Sequence, residues 1–373
     1  MAKTIFILGG AGGAGLPCAR WLLRETDSHL TIGGRDVDRA VTTAQRLNEE
    51  FSGGRVSAVR VDAGCADTLA TALEGPDFLL VCSPTAGLAD RVASAALAAG
   101  IDYMDIHCSP KVVTALRGLE PAIRRDGRCF ITQGGCHPGL PAALVRYGVR
   151  HFSRLRKAMV GMAMNVANIG TIESVAEFAE DMAHYSASVF RNGRWEKAGW
   201  RAARKIDFGP DFGTKTCAPM DLEELRDLPA QMKLEELGLY AAGFTPFVDY
   251  VVFPLLMGVT GLLDGVRKGW GARTSARLLR WGIHRFSQPP FGIVFKMEAE
   301  GEKNGRSRLL TLVARHVDAY EFTAIPVVAC LRQYLDGSIA RPGLWLMGQA
   351  VDPVRLLKDM EHMGVRFDIT ETF

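Results

Sequence analysis

The chain has 373 residues, 48% of them hydrophobic and 23% charged, with a formal net charge of +3. That length implies two or three domains at about 100–200 residues each, and the composition is that of a globular protein. The scattered, nearly balanced charge argues against nucleic acid as a partner. Eight cysteines stand apart without a C-x-x-C pair, so no metal site is expected. MAKTIFILGG carries no signal-peptide pattern, and a reducing cytoplasm is the simplest location.

In chain order, the first 135 residues alternate apolar runs with helical segments. The runs are KTIFILGG, HLTIGG, VSAVRVDA, DFLLVCSP, IDYMDIH and RCFITQGG. Near-continuous apolar runs suit parallel strands covered on both faces. Segments 16–26, 37–51 and 86–99 read as helices between them, which predicts a doubly wound α/β domain. Beyond residue 150 the texture changes. RKAMVGMAMNV reads as a strand, and 171–184 as a helix. Asn192-Gly193 and Asn304-Gly305 each mark a hairpin. Segment 247–286 reads as helical and apolar. Its run around 244–263 contains Asp249, Pro254 and Gly258 and is too short in uncharged residues to span a membrane. It reads instead as a buried or interface helix, and a homodimer is expected. TAIPVVACLRQYL reads as a helix leading to a tail that ends in RLLKDMEHMGV.

Gly10, Gly12 and Gly15 form G-x-G-x-x-G at the junction of the first strand and first helix. There Gly10 would permit the tight turn, Gly12 the approach of a pyrophosphate and Gly15 close helix–strand packing. The loop Gly10, Ala11, Gly12, Gly13, Ala14 and Gly15 is thus the expected dinucleotide cradle, with the helix N-terminus facing phosphate. NAD-preferring sites usually end the second strand in a carboxylate. Here the strand ends in Gly34 and then Arg35, whose donor fork suits a 2′-phosphate, so NADP is expected over NAD. Asp36 reads as the cap of the next helix and Arg39 as its solvated face. Asp62 and Ala63, then Cys82, Ser83 and Pro84, then Gly135, follow strand ends where the cofactor would lie, and Asp62 and Ser83-Pro84 read equally well as turns without ligand contact.

Ligands of open α/β sheets sit beyond the carboxyl ends of the strands. GIDYMDIHCSP and QGGCHPGLP occupy such positions. Asp105, His107 and His137 are the candidate catalytic residues, a carboxylate to hold an amine and two imidazoles to move a proton. Pro138 would open the following helix. Cys108 and Cys136 read as inert thiols.

Taken together, FILGGAGGAG, IGGRDVDRA, GIDYMDIH and QGGCHPGLPAALVR give a chain that resembles the saccharopine dehydrogenase family. FGTKTCAP, ELGLYAAGFTPFVDY and FTAIPVVACLRQYLDG extend the likeness through the rest. The resemblance implies a Rossmann domain over 1–145 and an α+β substrate and dimerisation domain with a mixed sheet over 146–321. It further implies that 322–373 returns to the first domain. It implies hydride transfer between nicotinamide and the carbon of an imine or secondary amine. The small-molecule substrate would be derived from an amino acid or polyamine, as in saccharopine reductases, carboxynorspermidine dehydrogenases and lysine 6-dehydrogenases. Two rival readings stay open. One is reduction of a C=C or C=O bond in a hydrophobic substrate, and the other a cofactor-binding regulator without turnover. The sequence shows no clear arginine pair for two substrate carboxylates. Arg191, Arg194, Arg201 and Arg204 read mostly as a solvated face.

Overall fold

The six apolar runs become parallel strands: β1 Thr4–Leu8, β2 His29–Gly34, β3 Val56–Arg60, β4 Phe78–Val81, β5 Asp102–Asp105 and β6 Cys129–Thr132. This is a computed structural model that describes residues 2–167, 169–183, 187–244, 249 and 270–372. The expectation for 244–263 lies outside the described residues except at Phe244 and Asp249. Between the strands run α1 Gly15–Glu25, α2 Val37–Glu50, α3 Ala66–Ala72, α4 Ala89–Ala98 and α5 Pro110–Arg125. In β1, Phe6 and Leu8 join one core cluster with Leu69, Val92, Ala96, Val112 and Leu116 of α3, α4 and α5. Ile5 and Ile7 point the other way and are equally buried. Both faces are therefore covered, as continuous apolar strands require.

A seventh parallel strand, β15 Gly343–Leu346, pairs with β6, giving the order β15-β6-β5-β4-β1-β2-β3. The chain runs outward from β1 to β3 and then restarts on the other side at β4. The switch between β1 and β4 opens the crevice in which such sheets bind ligands.

The chain divides into two units. The first comprises Met1–Ala143 and Tyr320–Met363, the second Leu144–Ala319 and Gly364–Phe373. The boundary falls inside α6 Leu140–Gly148. The second unit holds a mixed sheet of β7 Arg154–Asn165, β8 Ser188–Arg191, β9 Arg194–Lys197, β10 Arg204–Asp207, β11 Thr214–Met220, β12 Glu236–Ala242, β13 Gly292–Lys303, β14 Arg306–His316 and β16 Arg366–Thr372. Its main path is β10-β11-β12-β7-β13-β14-β16, with β12 and β7 parallel and β8 and β9 a side hairpin. Both Asn-Gly turns close hairpins. Asn192 and Gly193 have φ of 52° and 77°, Asn304 and Gly305 of 53° and 73°. Two successive positive φ values are what a type I′ turn needs. A short α8 spans Leu228–Met232, and α7 Ile172–Ala183 packs on α9 Trp270–Phe286 through Val175, Ala276, Leu279 and Ile283.

The tail divides. Helix α10 Ala319–Leu335, with α11 Met347–Ala350 and α12 Pro353–His362, accompanies β15 on the first unit. α10 is buried almost all round, from Phe322 to Tyr334, as expected for a helix enclosed by its own domain. The expectation that all of 322–373 returns to the first domain is corrected at its end. β16 pairs antiparallel with β14, from Leu309↔Thr372 to Arg315↔Arg366, because β14 would otherwise leave an open edge. Among the described residues, no helix is long and apolar enough to cross a membrane.

Candidate active site

The turn after β1 is made by Gly9, one residue earlier than the fingerprint suggested. Gly9 has φ +85° and donates its N–H to the Gly33 carbonyl at 2.8 Å. A Cβ on Gly9 would stand 2.8 Å from the Ser83 backbone nitrogen, so the turn packs directly on the end of β4. The Gly10 role is corrected accordingly: its missing Cβ makes room for Ile32 Cδ1, at 2.8 Å. A Cβ on Gly15 would overlap the Gly9 carbonyl oxygen, so Gly15 permits close helix–turn packing. Ala14 precedes α1 and provides no side-chain cap. The first-turn amides thus keep their positive dipole end for a phosphate. Gly13 is exposed, with the Tyr320 ring where its Cβ would be. Tyr320 flanks the loop from far away in sequence, and no local motif signals it.

At the tip of β2, Gly33 is filled from below, since a Cβ there would overlap the Phe6 ring. Gly34 has open space where its Cβ would lie. Arg35 is exposed just beyond. Asp36 caps α2 as expected, accepting the Arg39 N–H at 3.0 Å. Arg39 is exposed, as expected of a solvated helix face, and its Nη2 donates to the Ala11 carbonyl at 2.7 Å. The Arg39 guanidinium therefore stands by the glycine loop, and Arg35 lies just past the tip of β2. The available signal was the position of Arg39 in the first turn of the helix that follows β2.

Asp62 is exposed, and its Oδ1 accepts the Gly64 N–H at 2.8 Å, while Ala63 is buried. Cys82 and Ser83 are half-buried and Pro84 is exposed; the Ser83 and Thr85 hydroxyls lie 3.1 Å apart. Gly135 is buried at φ +134°, and its carbonyl accepts the Leu140 N–H at 3.2 Å. α6 starts at Leu140, so Pro138 precedes the helix instead of opening it. The chain makes its final turn at Gly139, φ +114°.

The ends of β5 and β6 converge on Asp105, which is fully buried. Its Oδ1 accepts from the His107 N–H at 3.0 Å, the Thr132 hydroxyl at 3.0 Å and the Gln133 N–H at 3.4 Å. Oδ2 has no partner among the described residues. Burial pushes the carboxyl above its ordinary range, and the adjacent His107 and the donors on Oδ1 oppose that shift. Gln133 holds φ +59° although it carries a side chain, a left-handed conformation worth of order 1–3 kcal/mol of strain. Its backbone N–H faces the carboxylate as a result. Tyr103, stacked on Phe130 at 5.0 Å, is buried beside Asp105. Tyr103, Thr132 and Gln133 belong to this constellation, yet only the pairing of β5 with β6 discloses them.

His107 is buried and His137 half-buried, and each has a buried Nε2 without a partner among the described residues. His107 is joined to Asp105, whereas no described bond joins His137 to the cluster. Burial lowers the His137 imidazole to about 4, so it is neutral at physiological pH. Cys136 beside it is pushed up to about 11 by burial, which makes it an inert thiol.

A parallel sheet with a glycine turn at its switch point, an uncapped helix N-terminus and arginines after β2 defines a dinucleotide-binding protein of the Rossmann class. The first third of the chain can be placed more narrowly: residues 5–131 match the model of the saccharopine dehydrogenase NADP binding domain. NADP is the cofactor of this domain, and the crowded Gly9–Gly15 cradle with Arg35 and Arg39 beside it fits that molecule. The chain is similar over its full length to apo saccharopine dehydrogenase (L-Glu forming) from Saccharomyces cerevisiae. The TM-score is 0.73, with 14% identity and 100% of each chain covered. A myo-inositol dehydrogenase from Corynebacterium glutamicum has a TM-score of 0.47 and 12% identity, over 97% of this chain and 95% of that one. No curated protein sequence matches.

Proposed function

We propose that this chain is an NADP-dependent oxidoreductase acting on the C=N bond of an imine, or the CH–NH bond of the matching secondary amine. The observation that carries this reading is the buried Asp105, with Oδ1 engaged by three donors and Oδ2 left over. A fixed, desolvated carboxylate oxygen is suited to a protonated nitrogen, whose positive charge it stabilises far more than water would. NADPH supplies the hydride when bound. The Thr132 hydroxyl and the Gln133 amide keep Asp105 from turning away. His107, bonded to Asp105 through its backbone, presents a second polar group at the same strand end. His137, neutral at physiological pH, serves as a hydrogen-bonding group rather than a charged acid. Arg35 and Arg39 would hold the 2′-phosphate, and the backbone from Gly10 to Gly15 the pyrophosphate.

Incubating the protein with NADPH and paired amines and carbonyl compounds tests the reading. Consumption of NADPH should require both members of a pair. Equal consumption with the carbonyl compound alone would sink the C=N assignment and favour C=O reduction.

A further inference from the structure

The second sheet carries a cleft of ≈ 210 Å³ formed wholly by the second unit. Strand register shows how its floor is laid. Across β12, β7 and β13 one row is Glu236, Lys157 and Glu300, the next Gly238, Met159 and Glu298, and the third Tyr240, Gly161 and Lys296. Alternate residues share a face, so these rows line one surface.

The cleft is electrically polar. On one side Arg191 Nη2 donates to the Tyr240 hydroxyl at 3.3 Å. Arg204 lies over the Tyr240 ring, 5.1 Å from its centroid, and reaches Glu236 only at 3.9 Å. Both arginines are half-buried residues. Arg191 spends one donor on a neutral hydroxyl and Arg204 makes no close carboxylate bond, so both keep donors whose geometry a carboxylate matches best. On the other side β13 places Glu298, held by Lys296 at 2.8 Å, and Glu300. Two strand spacings, about 10 Å, separate β12 from β13. Between them Gly238 has no side chain to block the floor, and the Tyr240 ring lies 2.8 Å from where its Cβ would stand.

We propose that this cleft binds a small zwitterion, with its carboxylate at Arg191 and Arg204 and its ammonium group at Glu298 and Glu300. The assignment stands without the C=N reading. It concerns binding, so its test involves no turnover.

The probe is ε-aminocaproate, titrated calorimetrically into the full chain, with hexanoate, hexylamine and inorganic phosphate as comparisons. The zwitterion should bind saturably, one per chain, and more tightly than any of the three. Arg191→Gln and Arg204→Gln should each weaken it about tenfold or more, the loss of one charge-assisted pair. Glu298→Gln should weaken ε-aminocaproate and leave hexanoate unchanged or tighter. NADPH binding by every variant checks that the chain is folded. Arg191 sits at the end of a surface hairpin, so its variant keeps the test valid if Arg204→Gln does not fold. Absence of ε-aminocaproate binding would overturn the proposal. So would phosphate or hexanoate binding as tight as the zwitterion, or full affinity in folded Arg191→Gln.

Discussion

In the first sheet β1, β4 and β6 are apolar but for the terminal Thr4 and Thr132, and the chemically useful side chains stand at or past the strand tips: Arg35, Asp62, Ser83, His107 and His137, with Asp105 as the last residue of β5 and Thr132 as the last of β6. In the second sheet charged residues stand mid-strand, as Lys157 does on β7 and Glu298 and Glu300 on β13. The cause is coverage. A sheet buried on both faces can place polar groups only where its strands stop, whereas a sheet with an uncovered patch can place them by alternation anywhere along a strand. Strand tips favour fixed geometry at one edge, and an open face favours a broad, charged floor.

The largest expected effect falls on a strand tip. Asp105→Asn should cost about 100-fold or more in turnover, while calorimetry shows NADPH binding within a few-fold of the parent. Loss of both together would mean that Asp105 holds the sheet edge rather than the substrate.

The next prediction concerns the depth of burial at those tips. Burial lowers His137 to about 4 from an ordinary 6.5. On acidification the unfolded chain takes up this proton first. Its contribution to stability is therefore full above pH 6.5 and declines as pH falls towards 4. At about 1.4 kcal/mol per pKa unit the loss approaches roughly 3 kcal/mol. Urea melts across that window should steepen for the parent relative to His137→Gln. Parallel curves would place the imidazole in contact with water.

Arg35→Ala should weaken NADPH binding about tenfold, consistent with losing one charge-assisted phosphate contact, with NADH binding barely changed. Arg39→Ala should do the same more weakly, because its guanidinium is partly engaged by Ala11. Fluorescence titration with both nucleotides distinguishes these outcomes. The smallest effect belongs to the second sheet. Gly305, φ +73°, has open space around it, so Gly305→Ala should cost only about 1 kcal/mol of backbone strain in thermal melts. At Gly33 the same change meets the Phe6 ring and should cost about 1–3 kcal/mol.

The residues themselves explain which features could be read early. β1, β4 and β6 are uninterrupted apolar runs, and Asn192-Gly193 and Asn304-Gly305 impose their turns locally. The loop was located by its glycines, but the positive φ belongs to Gly9, because a spacing rule does not say which glycine turns. β15, GLWL, and β16, RFDITET, are short and weakly patterned. Their sheets are chosen by distant partners, Cys129–Thr132 and Leu309–Arg315. Thr132 reaches Asp105 across 27 positions and Arg191 meets Tyr240 across 49, separations at which no local periodicity speaks.

The divided tail has a kinetic consequence. β15 and β16 leave the ribosome after every other described strand, yet each finishes a different sheet, at β6 and at β14. Neither edge can close before its late strand has been made. Pairings of such long sequence separation are slow to form, and exposed edges invite association with other chains. Both units should therefore mature late and together, and a chain shortened before β15 should aggregate rather than yield one sound unit.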